Sequence, residues 1–172
     1  DEAYSLIDLL IVDHEEALRL SGCADIPLAI DFFRQKSVGA VLVTNGAHNV
    51  YLWADSPLFG LIPEKTMPVS AAVGKALKEG NKGDSTGCGD NFAGGVIASL
   101  ARQIYNFQLS TLNSQLTLDL VESCRWGIVS GGFACFYYGG TYIENQEGEK
   151  FSCLQQLYDQ YLLQEKDNTT VH

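Results

Sequence analysis

Strand-length apolar runs separated by helical patterns constrain the fold of this chain more than any other feature. The run from Ser5 to Val12 predicts a buried strand, and a second apolar, β-branched run covers Gly39 to Thr44. Two stretches with apolar residues at helical spacing lie between these runs, and Gly22 closes the first of them. The predicted helices are His14–Leu20 and Ile26–Gln35. A strand, helices and a further strand in this order indicate an α/β layer.

The rest of the chain predicts a hairpin followed by helices. Residues 44–49 are typical of a turn, and Val50–Trp53 returns from it as a strand. Leu58–Ile62 predicts an edge strand that ends at Pro63. Residues 70–83 are polar and contain glycine and lysine, so we expect an irregular segment there. Three more helices are predicted, at Asn91–Ile104, Thr117–Tyr138 and Phe151–Leu163.

The composition excludes several classes of function. The chain has 172 residues and no internal repeat or Pro-rich linker, so we expect residues 1–172 to form a single domain. Its 11 Lys+Arg and 21 Asp+Glu give a net charge of 11 − 21 = −10, which argues against nucleic acid or an anionic membrane as a partner. The five cysteines contain no CxxC pair, and no signal peptide or membrane-length apolar run is visible. Reduced thiols and a cytoplasmic location are the simplest interpretation.

A glycine-rich segment stands directly before the third predicted helix. Gly83, Gly87 and Gly89 flank hydroxyl and carboxylate side chains in the sequence GDSTGCGD. In such a segment successive N–H groups can point the same way and, with the helix N-terminus, hold phosphate oxygens. Asp90 falls in the first helical turn, where a carboxylate can accept a proton from an attacking hydroxyl. A glycine-rich turn followed by an ordinary first-turn aspartate explains these residues equally well.

The segment from Asp84 to Gly95 resembles the C-terminal signature of the ribokinase-like (PfkB) carbohydrate kinases. Asp13–Ala17 is similar to that family's N-x-x-E-A segment, and Val43–Gly46 to its strand-T-x-G turn. Downstream, Ala134–Gly140 resembles the family's closing helix and glycine turn. The resemblance covers roughly residues 5–163. It implies the C-terminal half of a ribokinase-like three-layer α/β/α sandwich, without the N-terminal strands and lid.

The resemblance also implies roles for single residues. Asp90 matches the catalytic base that deprotonates a sugar hydroxyl. The backbone N–H groups of Gly87, Cys88 and Gly89 match the anion hole that stabilises the transferred phosphoryl group. The residues that the resemblance places at the bound ATP are Asp13, Glu16, Thr44, Gly46, Thr86, Gly87 and Gly89. Glu16 matches a residue that organises Mg²⁺ through its waters, and Asp84 matches a ligand of a monovalent cation such as K⁺.

Two departures from the family pattern bear on this interpretation. Asp13 stands where relatives carry Asn, so a second negative charge would lie near the ATP phosphates. That charge weakens anion binding unless Mg²⁺ or a lysine compensates, the candidates being Lys75, Lys78 and Lys82. Cys88 replaces the commoner Ala, and at a helix N-terminus we expect its thiol pKa to be lowered. A small buried apolar residue is the alternative interpretation of Cys88.

Two hypotheses for the function follow. The first is an ATP-dependent kinase that phosphorylates a hydroxyl of a sugar or a sugar-like small molecule. The second is a truncated, inactive nucleotide-binding or subunit-interaction module of the same fold. The second arises because relatives are about twice as long and grip the sugar with an N-terminal half that has no counterpart here. A homodimer, or a complex with that missing half, is the partnership that this hypothesis implies.

Overall fold

The computed structural model describes residues 2–80, 83–109 and 115–170. Contacts along the chain divide it into two compact units. The first unit consists of Asp1–Pro68 and Leu100–Val121, and the second of Val69–Ser99 and Glu122–His172. The single domain expected over residues 1–172 stays a prediction.

Four strands and six α-helices are found in the described residues. The strands are β1 (Leu10–Asp13), β2 (Ala40–Asn45), β3 (Asn49–Ser56) and β4 (Gly60–Pro68). The helices are α1 (His14–Ser21), α2 (Ile26–Gln35), α3 (Ala71–Lys78), α4 (Cys88–Leu109), α5 (Leu120–Ala134) and α6 (Glu149–Thr170). Short 3-10 helices cover Glu2–Leu6 and Tyr138–Gly140. None of the helices in these ranges is both long enough and apolar enough to cross a membrane.

The first unit is built on a four-stranded sheet in the order β1-β2-β3-β4. Strands β1 and β2 are parallel, whereas β2 pairs with β3 and β3 with β4 in antiparallel hairpins. Helices α1 and α2 begin at aspartate N-caps, Asp13 and Asp25, which satisfy backbone N–H groups at each helix start. Their apolar faces pack on the sheet. The buried residues of this core are Val12, Ala17, Ile26, Ala29, Ile30, Phe33, Val38, Val41, Val43 and Trp53.

Two of the predicted strands have different bounds in the structure. The strand expected from Ser5 begins only at Leu10, because the chain before it turns, with the Ile7 N–H donating to the Tyr4 carbonyl. The edge strand expected to end at Pro63 continues to Pro68. Proline is tolerated there since β4 lies at the sheet edge, and the register shifts between Leu52 and Ala54, opposite Pro63.

In the second unit, α4 and α5 pack closely because glycines lie where the two helices contact each other. A Cβ on Gly95 of α4 would lie 2.6 Å from the Trp126 carbonyl oxygen of α5. A Cβ on Gly127 would lie 2.7 Å from Val96. The two helix backbones are therefore close enough that larger residues at these positions would force them apart. Helix α6 covers α5 with Tyr158, whose ring stacks on Trp126 at 4.3 Å between centroids.

Helix α3 (Ala71–Lys78) occupies most of the segment predicted to be irregular over residues 70–83, and Asn81 and Lys82 of that segment lie outside the described residues. Ser70 caps it by accepting a hydrogen bond from the Val73 N–H, and Gln164 of α6 bonds the backbone at both Val69 and Ala71. Gly74 disfavours a helix locally, so these contacts with α6 within the second unit stabilise α3.

Candidate active site

The glycine-rich loop of the second unit is held in one shape by Asp84. Its Oδ1 accepts hydrogen bonds from the Thr86 N–H at 3.0 Å and from the Gly139 N–H at 3.2 Å. Gly87 then adopts a left-handed conformation with φ of 74°, and α4 begins at the next residue. This carboxylate therefore joins two loops that are more than fifty residues apart in the sequence.

The second of these loops is the glycine turn at residues 139–140. Both of its glycines have positive φ. A Cβ on Gly140 would lie 2.5 Å from the Thr86 carbonyl oxygen, and one on Gly87 would lie 3.4 Å from the Gly140 Cα. The two backbones contact each other directly, which explains why glycine is needed on both sides.

Asn91 bridges the two loops, a contact that the sequence reasoning did not identify. Its Nδ2 donates to the carbonyl oxygens of Gly87 at 2.9 Å and Gly140 at 3.1 Å. Its Oδ1 accepts from the Lys150 ammonium of α6 at 3.3 Å. Asn91 falls at a position that the family signature leaves unconstrained, so the motif carries no signal for it.

The start of α4 faces open space. Gly89 and Asp90 are exposed, and apart from the adjacent residues and the backbone of α4 itself, nothing lies within 4 Å of the place where a Cβ on Gly89 would stand. The Cys88 N–H, one of the three implied anion-hole donors, donates to the Ser85 carbonyl at 3.2 Å. An exposed helix N-terminus with a carboxylate in its first turn is suited to contact an anion and a hydroxyl group.

The expectation of a lowered pKa for the Cys88 thiol is wrong. Burial raises the pKa of this thiol to about 12, with the Cys135 thiol and the Asp84 charge adding to the effect. The Cys88 and Cys135 sulfur atoms lie 2.8 Å apart. The helix N-terminus is outweighed because a thiolate here would lose water and face another sulfur and a carboxylate.

The first unit brings together the other predicted ATP-site residues. Asp13 and Thr44 are register partners at the carboxyl ends of the parallel strands β1 and β2. Asp13 and Glu16 form a capping box: the Asp13 Oδ1 accepts from the Glu16 N–H at 2.8 Å, and the Glu16 Oε2 from the Asp13 N–H at 3.0 Å. Gly46, with φ of 54°, lies in the exposed turn between β2 and β3.

The lysines proposed to offset the Asp13 charge differ in their surroundings. Lys75 pairs with Glu79 at 3.8 Å, and both side chains are largely exposed. Lys78 is exposed, and Lys82 lies outside the described residues. Lys150 is instead the lysine that hydrogen-bonds to the glycine-loop network, through Asn91.

The described ranges contain no group of three or more His, Cys, Asp or Glu side chains that could hold a metal ion by themselves. Asp13 and Glu16 nevertheless fit a hydrated Mg²⁺, since this ion keeps several waters and takes one or two carboxylates together with substrate phosphates. The predicted residues thus fall into two sets. The first unit holds Asp13, Glu16, Thr44 and Gly46, and the second holds Asp84, Thr86, Gly87, Cys88, Gly89 and Asp90.

Comparison with known proteins gives one family. The model of the pfkB family carbohydrate kinases matches residues 1–147. Among curated proteins, none matches the sequence.

Solved structures show the same fold. A protein from E. coli assigned as ribokinase II, in complex with ATP and Mg²⁺, has a TM-score of 0.59 and 19% identity; the match covers 90% of this chain and 41% of that one. Aminoimidazole riboside kinase from Salmonella enterica, complexed with aminoimidazole riboside and an ATP analogue, has a TM-score of 0.57 and 19% identity, covering 92% and 43%. A fructokinase double mutant from Vibrio cholerae O395, bound to fructose, ADP and a potassium ion, has a TM-score of 0.55 and 20% identity, covering 91% and 41%. The chain therefore has the ribokinase-like α/β fold in part, spanning about two fifths of these proteins.

Proposed function

Because the chain belongs to the pfkB family of carbohydrate kinases, we propose that it takes part in ATP-dependent phosphoryl transfer to a hydroxyl of a sugar or a sugar-like small molecule. Asp90 is the base in this proposal, and the backbone from Gly87 to Gly89 forms the anion hole. Phosphoryl transfer requires mainly positioning and charge stabilisation from the protein. The residues assigned to these two tasks lie within four positions of one another at the start of α4.

The observation that carries the proposal is the way the glycine loop is fixed. Asp84 and Asn91 hold the loop through four hydrogen bonds, while the helix start beyond it stays exposed. Preorganised N–H donors stabilise developing charge because they need not reorient during the reaction.

An exposed carboxylate completes this arrangement. Asp90 accepts the proton of the attacking hydroxyl in this proposal, and its exposed position in the first turn of α4 leaves it open to an acceptor. In a protein of net charge −10, backbone donors rather than a basic surface must hold the phosphates.

The first unit supplies carboxylates for the metal. Glu16 would hold a hydrated Mg²⁺ through its waters, and Thr44 and Gly46 would contact the nucleotide. The ion would supply positive charge to offset the phosphates of bound ATP. Asp13, which stands where the family has Asn, adds a second carboxylate whose charge that same ion offsets.

A monovalent cation such as K⁺ belongs to the proposal as well. Asp84 and the Thr86 carbonyl would hold it. The potassium ion in the fructokinase structure gives a precedent within the fold. Asp84 already hydrogen-bonds to both loops, so a cation bound beside it would stabilise a conformation that the loops have without it.

A second candidate function is favoured by the length of the chain. It spans only 41–43% of the three neighbours described above. A nucleotide-binding or subunit-interaction module, completed by a second copy or by a separate N-terminal half, would keep the loop and lack turnover. The kinase and a nucleotide-binding module share ATP binding and differ in what happens to the acceptor, whereas a subunit-interaction module need not bind ATP.

Calorimetric titration of the chain with Mg-ATP tests the ATP binding that the kinase and the nucleotide-binding module share. The matched variant is Gly87→Val, which puts a branched side chain at a left-handed position beside Gly140. We expect saturable binding by the parent chain and its loss in the variant, with the same circular dichroism spectrum for both. A folded parent chain that does not bind Mg-ATP would refute the kinase and the nucleotide-binding module, and would leave the subunit-interaction module as the leading candidate.

Turnover then separates them. In a screen of sugars, Asp90→Asn should lower the rate by about 10²- to 10⁴-fold, the usual contribution of a general base, and leave Mg-ATP binding unchanged. Loss of binding together with turnover would count against the role of base. Binding without turnover for any sugar, with and without an added N-terminal half, would favour the module.

A further inference from the structure

Two cysteines face each other at the start of α4. Cys88 is the first residue of that helix, and Cys135 directly follows the end of α5. Their sulfur atoms lie 2.8 Å apart, and both side chains are partly buried. No role in the proposed phosphoryl transfer uses either thiol.

Neighbouring backbone keeps the two thiols in place. The Cys135 thiol donates to the Gly131 carbonyl at 3.5 Å, and the Cys88 thiol donates to the Asp84 carbonyl at 3.8 Å. A Cβ on Gly131 would lie 2.9 Å from the Cys88 carbonyl oxygen, so the chain segments that carry the thiols are in direct contact. The pairing therefore results from the packing of α4 against α5.

We propose that Cys88 and Cys135 form a disulfide when the chain meets a low-molecular-weight disulfide. A disulfide needs a sulfur separation of about 2.05 Å, so the two atoms must close by less than about 1 Å. The Cys135 thiolate attacks a sulfur of the oxidant and releases one small thiolate, because the Cys88 thiol is the harder of the two to deprotonate. Cys88 then passes its proton to that released thiolate and attacks the Cys135 sulfur of the mixed disulfide, which releases the second small thiolate. Two protein thiols lose two electrons and two protons, and the oxidant becomes two small thiols.

The cross-link acts on the glycine loop. It ties the first residue of α4 to the residue after α5, while Asp84 and Asn91 already join residues 84–87 to the turn at 139–140. Oxidation therefore stiffens the segment that carries the Gly87–Gly89 N–H groups. This proposal stands on the thiol geometry alone and is independent of the kinase assignment.

Thiol counting with oxidised glutathione tests the proposal. The fully reduced chain is incubated with the oxidant under native conditions, and the remaining thiols are then titrated in denaturant. We expect the count to fall from five to three, with a Cys88–Cys135 linked peptide in a non-reduced digest and full recovery after dithiothreitol. Amide exchange at residues 87–90 should slow at least severalfold in the oxidised chain.

Two variants serve as matched controls. Cys153→Ser removes one thiol and leaves the pair, so it should still lose two thiols and yield the same linked peptide. Cys135→Ser breaks the pair and should yield no linked peptide that contains Cys88. Retention of all five thiols, mixed disulfides alone, or a link between other cysteines would overturn the proposal. Unchanged exchange at residues 87–90 in a cross-linked chain would overturn its effect on the loop.

Discussion

Adjacent glycines in α4 allow a sharp test of the helix packing in the second unit. Gly94 is exposed, and apart from the adjacent residues and the backbone of α4 itself, nothing lies within 4 Å of the position of a Cβ. A Cβ on Gly95 would lie 2.6 Å from the Trp126 carbonyl oxygen and 2.7 Å from the Ser130 Cβ. Replacing each glycine by alanine adds one methyl group to the same helix, so the two variants differ only in what that methyl group meets.

The expected magnitudes follow from these contacts. Alanine is better than glycine in a helix by about 1 kcal/mol, so Gly94→Ala should raise the free energy of unfolding by roughly that amount. Gly95→Ala gains the same helix propensity but forces the α5 backbone to move, and overpacking of this kind costs about 1–3 kcal/mol. The propensity cancels between the variants, so Gly95→Ala should be less stable than Gly94→Ala by about 1–3 kcal/mol.

Urea denaturation followed by circular dichroism measures this difference directly. At about 2–4 °C per kcal/mol for a chain of this size, thermal midpoints should separate by roughly 2–12 °C. Equal stability of the two variants would show that α4 and α5 do not approach each other as closely as the glycine contacts indicate. A Gly94→Ala variant less stable than the parent would refute the assumption that its surroundings are open.

Three further changes have defined outcomes. Asn91→Asp places a carboxylate beside the carbonyl oxygens of Gly87 and Gly140 and removes both amide donors. Amide exchange at residues 87–89 should therefore accelerate, and the free energy of unfolding should fall by about 1–3 kcal/mol. Unchanged exchange would contradict the bridging role of Asn91. Asp13→Asn keeps a good N-cap, so the free energy of unfolding should change by less than about 0.5 kcal/mol. The variant removes one negative charge, so calorimetry should detect tighter ATP binding. Weaker binding would argue against phosphates near this residue. Burial raises the pKa of Tyr161, so the stability that the neutral phenol contributes is full below about pH 10, where the phenol of the unfolded chain begins to ionise, and is lost as the pH rises further. Tyr161→Phe should therefore flatten the fall in the free energy of unfolding at alkaline pH. An equally steep fall in the variant would show that Tyr161 is not its cause.

The sequence predicts the elements of the first unit well where local signals agree. Helix α2 has the predicted bounds, and α1 ends at Gly22, whose left-handed conformation stops the helix. The error at β1 has a local cause. The apolar run from Ser5 looks continuous, but the turn at Tyr4–Ile7 uses backbone hydrogen bonds that composition does not reveal.

The errors in the second unit have causes that lie far away in the sequence. Helix α3 looks irregular because Gly74 and its lysines weaken the local signal, whereas Gln164 fixes its first turn from ninety-three residues away. The raised pKa of Cys88 likewise depends on Cys135, forty-seven residues further on. A single sequence contains no information about which distant residues meet, so neither feature is predictable from local patterns.

The glycine motif shows how local and distant information combine at one site. The sequence identifies the loop, but the loop's shape depends on Asp84, on Asn91 and on the turn at residues 139–140. All of these residues belong to the second unit, so the hydrogen bonds described above brace the loop from within that unit. The chain spans about two fifths of its structural neighbours, and the loop is nevertheless braced by residues of its own unit. It follows that ATP binding tests the loop, whereas only turnover distinguishes a kinase from a nucleotide-binding module.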